Sequence, residues 1–179
     1  VSGLAGFALL GSGMLRDFAV VATAMGSSHN EMKKTGWIGA ISLLVGVFIS
    51  FFPAVIIAFA FGYRDAVSLT TIGAGACTFI VGPVTGAAIG ADSSVIAISI
   101  AAGVFKSVFV TIFTAPLAKF IGLNSPQAAM AYGGLMGTTS GVTAGLAATD
   151  PKLVPYGAMT STFATGVGCL LCPSICFFM

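Results

Sequence analysis

Six long apolar segments, separated by short polar stretches, run the length of the chain. The first covers about Leu4 to Met25 and contains the pair Arg16-Asp17. A polar loop follows, Ser27-Ser28-His29-Asn30-Glu31-Met32-Lys33-Lys34. Ser28 and Glu31 have capping-box spacing, which predicts a helix start there. The second segment, Trp37 to Phe61, is continuously apolar, and Trp37 and Tyr63 flank it as interfacial aromatics do. The fourth, Ser94 to Pro116, is an unbroken helical span except for Lys106 at its centre. The sixth starts at Asp150-Pro151 and continues to the end.

The third and fifth segments have a different texture. The third, Ala66 to Ala91, is dense in glycine and carries Gly82-Pro83 in its middle. Proline removes a helix hydrogen bond and clashes with the preceding turn, so a break is expected near residues 82–86. The fifth, Ala128 to Ala148, reads GGLMGTTSGVTAGLAA from Gly133 and also looks broken. Asn124-Ser125-Pro126 before it is a helix-start signal. Segments three and four resemble segments five and six. Gly82 and Gly86 match Gly141 and Gly145, and Asp92 falls close to Asp150. If segments three and five return to their own side, Lys33, Lys34, Lys119 and Lys152 share one side against Arg64. The positive-inside rule then favours that arrangement and makes that side cytoplasmic.

These patterns predict an all-α integral membrane protein. Its transmembrane helices are joined by two glycine-rich broken or re-entrant hairpins that form an inverted repeat. Residues 1–65 would be N-terminal membrane segments on the scaffold side. Residues 66–116 and 117–179 would be the two repeat units, each a hairpin plus a helix. Inverted repeats with discontinuous helices are the plan of secondary transporters.

Composition strengthens the membrane assignment. The chain is 57% hydrophobic and only 7% charged, against about 25% charged in soluble domains. A net charge of +2 gives no footprint for nucleic acid. Val1 in place of Met and apolar residues at the other end lead to the expectation that residues are missing at both termini. Cys169, Cys172 and Cys176 share a helical face, but no His, Asp or Glu lies nearby, so small apolar side chains are favoured over a metal site. Catalysis finds no support, since the lone histidine, His29, lies in a polar loop.

The candidate chemistry lies at the breaks. Gly137, Thr138, Thr139, Ser140 and Gly141 would combine freed backbone N–H groups, three hydroxyls and a helix N-terminus, a set that suits a small carboxylate. Small-residue packing explains the same spacing, and the spacing alone leaves both readings open. Thr78, Gly82, Thr85 and Gly86, with Pro83, form the matching set, whose freed carbonyls could hold a cation instead. Lys106 is roughly 15 Å from either end of its segment, too deep to snorkel easily. It is taken as an attractor for an anionic substrate in preference to a structural ion-pair partner. Asp92 and Asp150 are most simply helix N-caps, with ion coupling as a second role.

The run GGLMGTTSGVTAGLAATDPKLVPYGAMTSTF at 133–163 resembles the MadM family. So do MLRDFAVVATA at 14–24 and SLTTIGAGACTFIVGPVTGAA at 68–88. MadM is the larger subunit of two-component malonate transporters, and the resemblance covers nearly the whole chain. The chain looks shorter than a full subunit, chiefly at the N-terminus. The resemblance implies a carrier in the bacterial cytoplasmic membrane, working with the small MadL subunit. It would take up malonate with sodium or protons and need no cofactor. Alternatives are a carrier for another small carboxylate, a non-transporting scaffold subunit, or a channel.

Overall fold

The computed structural model describes residues 29–178. The first apolar segment with Arg16-Asp17, and Ser28 of the capping box, lie outside the described residues. Among the described residues every regular element is helical. They are α1 (His29–Ala60), α2 (Ala66–Cys77), α3 (Val81–Ile89), α4 (Ser93–Leu117), α5 (Pro126–Met136), α6 (Thr139–Ala147) and α7 (Val154–Ile175), with short 3-10 turns on either side of α7. Three stretches are long and apolar enough to cross a membrane: Gly39–Ala60, Ser93–Leu117 and Pro151–Phe178. These are the second, fourth and sixth apolar segments.

The third and fifth segments are each split into two half-helices. The longest, α2, has 12 residues and extends about 18 Å, short of the roughly 30 Å of a hydrocarbon core. The starts follow local capping chemistry. Asp65 accepts from the Ser68 amide at 2.7 Å to open α2, and Ser125 accepts from the Ala128 amide at 3.2 Å to open α5, with Pro126 in its first turn. Gly137 ends α5 with a φ of 67°, a left-handed conformation that favours glycine.

The first break is not where the proline suggested. It lies at residues 78–80, upstream of the expected 82–86. Pro83 is the third residue of α3. In a first helical turn its missing N–H breaks no hydrogen bond, so the proline opens the second half-helix instead of ending the first.

Side-chain and glycine contacts fix the direction of each helix. Cys77 reaches the Val47 carbonyl, and Ala58 clusters with Leu69, so α1 and α2 are antiparallel. Ser42 meets Gly134 and Gly39 meets Met130, so α1 and α5 are parallel. Leu69 clusters with Val95 while Lys106 reaches the Cys77 carbonyl, making α2 and α4 parallel. Gly133 meets Gly157, and Gly137 meets Ala164, making α5 and α7 parallel. The units α2–α3–α4 and α5–α6–α7 therefore run in opposite directions. They also exchange partners: α6 packs along α4, and α3 packs along α7.

Glycines permit this packing. A Cβ at Gly75 would collide with the Ser99 backbone, and one at Gly46 with the Gly134 carbonyl. The outward faces are apolar. On α4 the Phe105, Phe109 and Phe113 rings form an exposed column.

Three outcomes follow for the protein in detergent. Gly75→Ala will lower the thermal unfolding midpoint, because neither backbone can yield without separating α2 from α4. Gly166→Ala, whose Cβ would meet nothing within 4 Å, will be neutral or slightly stabilising. Asp65→Ala will cost about 0.5–1 kcal/mol near neutral pH. Hydrogen bonds from Ser68 hold the Asp65 carboxyl below its usual 3.8. Its contribution is therefore present above that value and is lost as pH falls through the lowered pKa. Unfolding curves of variant and wild type should converge at low pH.

Candidate functional site

The two breaks meet. The Cys77 carbonyl, at the end of α2, lies 3.4 Å from the position a Cβ on Gly137 would take. Gly46, Val47 and Ser50 of α1 and Ala164 of α7 close the same space, which leaves no room for a water molecule. Beside it stands the middle of α4, where Lys106 is the fourteenth of 25 residues.

Lys106 connects α4 to the first break. Its ammonium donates to the Ser50 hydroxyl at 2.7 Å and to the Cys77 carbonyl at 3.2 Å. That carbonyl lies in the last turn of α2, where backbone oxygens lack helical partners and the helix dipole is negative. The Lys106 ammonium thus occupies a carbonyl in the last turn of α2. Neither partner is an acid. The described acidic side chains stand at helix N-termini: Asp65 before α2, Asp92 before α4 and Asp150 before the turn preceding α7. Asp92 is 14 residues from Lys106, about 21 Å along α4.

Ser107, the next residue, connects α4 to the second break. Its hydroxyl is hydrogen-bonded to that of Thr138 and accepts from Ser140 at 3.5 Å. Thr138 is the N-cap of α6, but its side chain makes no capping bond to that helix. Two consecutive residues of α4 thus hold the two breaks, one by a charge and one by a hydroxyl.

The structure distributes the other expected site residues as follows. Gly137 lies at the meeting point, and Gly141 is pressed against the Ser107 carbonyl. Thr139 is half-buried as the first residue of α6. Thr78 is buried at the first break, its hydroxyl accepting from the Ile80 amide at 3.1 Å. Gly82 packs on Ser99 and Gly75, and Gly86 on Ile96 and Thr71. Thr85 is fully buried, and its hydroxyl has no partner among the described residues. Asp92 makes no side-chain cap bond, whereas Asp150 accepts from the Lys152 amide at 3.0 Å. The cysteines do not converge as a ligand set: Cys172 is buried in the cluster that holds Cys77, and no group of three metal-ligating side chains exists among the described residues.

Three residues at this centre were not singled out from the sequence: Ser50, Cys77 and Ser107. Ser50 and Ser107 are polar positions within apolar helices, and Ser107 is next to the only mid-helix lysine of α4. That adjacency was the available signal. Cys77 contributes through its backbone, for which no side-chain signal exists.

Among the described residues the centre brings together one cation bonded to no carboxylate, a cluster of hydroxyls and a helix N-terminus without a side-chain cap, groups whose chemistry is compatible with an anion. No curated protein and no solved structure matches the chain significantly. One family model does match, over residues 1–179, and is described as "Malonate/sodium symporter MadM subunit". The chain belongs to that family of transporter subunits, and it is not an enzyme.

Proposed function

We propose that this chain carries malonate across the bacterial cytoplasmic membrane, driven by sodium and assembled with the small MadL subunit. The observation that carries this reading is the half-buried Lys106 at the middle of α4. It is bonded to Ser50 and the Cys77 carbonyl at the crossing of two helix breaks. A cation at the centre of a spanning helix costs about 2.5–3.5 kcal/mol on insertion scales. A substrate that supplies the missing negative charge gives that cost a purpose. Malonate brings two negative charges and Lys106 offsets one. A co-transported sodium offsets the other, so the closed site becomes neutral with one sodium. Sodium also agrees with the family description, and a proton would serve the same charge balance less specifically.

In this reading the half-helix pairs enter the membrane from opposite sides as re-entrant hairpins. The opposed directions of the two units support it, as does the shortness of each half-helix. Irregular backbone at that depth is stable only when buried in protein or lining a cavity. Malonate binds with one carboxylate at Lys106 and the other at Thr138, Thr139 and Ser140. Thr78, Gly137 and Gly141 line the approach. Gly82, Thr85 and Gly86 support the first hairpin, and Asp92 and Asp150 stand at the two ends of the ion path. The closed site must open to one side and then the other. Residues 66–116 and 117–179 would move as a unit against a scaffold formed by residues 1–65 and the partner subunit. Gly46 seats α1 against the Gly134 backbone, so this contact must part during the movement.

In proteoliposomes holding both subunits, a sodium gradient will drive labelled malonate uptake, whereas a proton gradient alone will not. Lys106→Ala will reduce uptake at least about 100-fold, because a buried charge partner for the substrate is lost. Uptake preserved in that variant removes Lys106 from the site. A second test addresses the movement. Cysteines at Gly39 and Met130, whose side chain comes within 3.7 Å of a Cβ at residue 39, are joined by a bifunctional thiol reagent in a background free of other reactive thiols. Transport stops and binding persists if α1 belongs to the scaffold. Full transport after complete cross-linking rejects that division.

A further inference from the structure

The hydroxyl pair at the second break has a surplus proton. Ser107 and Thr138 are both more than nine-tenths buried and are bonded to each other. A hydroxyl carries one proton and accepts through two lone pairs. The bond between the two uses one proton, whichever residue donates. Ser140 adds a third proton by donating to Ser107, and it removes none. Among the described residues neither Ser107 nor Thr138 has a further acceptor for its hydroxyl. Serine and threonine in helices ordinarily solve this by donating to a carbonyl three or four residues back, as Thr111 and Thr114 do on the same helix. Ser107 does not. One buried O–H in the pair therefore lacks an acceptor, at the N-terminus of a nine-residue helix whose cap residue leaves its amides uncapped. A buried donor left unpaired is costly, and an anionic acceptor ends that cost.

The position of this donor is informative. Ser107 follows Lys106 directly, and neighbouring Cα atoms are about 3.8 Å apart. Their side chains reach different breaks, the ammonium to the first and the hydroxyl to the second. Adjacent residues of α4 thus hold a cation at one break and a neutral donor at the other.

We propose that Ser107 determines specificity for a dicarboxylate. With Thr138 it donates to the second carboxylate while Lys106 neutralises the first, so the site demands both. This rests on the malonate-carrier reading and names the residue that distinguishes malonate from a monocarboxylate of the same shape. A monocarboxylate satisfies Lys106 and leaves the Ser107–Thr138 proton unpaired.

The test uses the complete two-subunit transporter in proteoliposomes under a sodium gradient. Uptake of labelled malonate is competed with unlabelled malonate or with isovalerate, in which an isopropyl group of similar shape but without an acceptor replaces one carboxylate. In Ser107→Ala the apparent affinity for malonate should fall at least about tenfold, the size expected for one hydrogen bond to a charged group. That for isovalerate should change less than about twofold, so the discrimination ratio collapses. Ser107→Cys keeps the volume but has a weak donor, and it should behave like the alanine variant. Equal losses for both ligands, no loss for either, or full recovery in Ser107→Cys would overturn the proposal, since each makes the role one of packing or none. Wild-type protein that moves no malonate at all would instead overturn the carrier reading beneath it.

Discussion

The ammonium of Lys106 on the Cys77 carbonyl is the interaction on which the rest of the arrangement depends. A helix that ends at mid-depth exposes carbonyls that water would satisfy at a surface. In hydrocarbon each such group costs several kcal/mol. Lys106 meets that demand at the first break from the facing helix, and Ser50 completes the coordination of the ammonium. Lysine suits this task better than arginine. Its ammonium is a compact point charge with three donors, and a flexible stem can redirect them. One group therefore serves as backbone cap and as the only cationic side chain in α4. In the proposed carrier an arriving carboxylate would compete with the Cys77 carbonyl for it, which would link binding to release of the first break.

The breaks are held in place by close backbone contact. Gly75 and Gly103 bring α2 against α4, and Gly46 brings α1 against Gly134. In lipid the apolar effect does not drive helices together, so such contacts carry the association. They also explain the division of labour among the glycines. Gly137 is needed for its left-handed backbone at the second break. Gly82 and Gly86 are needed for their lack of bulk, because Ser99 and Thr71 occupy the space a side chain would fill.

This division shows what could be read from the sequence. The three long spans and the two broken segments follow from hydropathy and glycine density. Asp65, Ser125 and Asp150 open their helices through local hydrogen bonds that depend on a few adjacent residues. The second break was legible because its glycine and hydroxyls lie within five residues. The first was misplaced by four residues, since a proline signals equally the end of one helix and the first turn of the next. Ser50 could not be found, because its role comes from Lys106, 56 positions away. Ser107 was hidden for a related reason. Serine in a membrane helix ordinarily bonds its own backbone, and only the structure reveals that this one does not.

The two breaks are chemically unequal although the units that carry them share one plan. At the first break a carbonyl is held by the Lys106 ammonium; at the second, hydroxyls bond one another while the N-cap side chain leaves the α6 amides uncapped. Inversion brings the C-terminal end of α2 and the N-terminal end of α6 to the same centre, and their dipoles carry opposite signs there. A symmetric pair of identical breaks would bind two like charges or none. Opposed ends next to Lys106 and Ser107 instead create a gradient of potential across a few ångströms. In the proposed symporter a small anion and a small cation would occupy it side by side, and their coupling would need no transmission over distance, because each ion would lower the cost of burying the other.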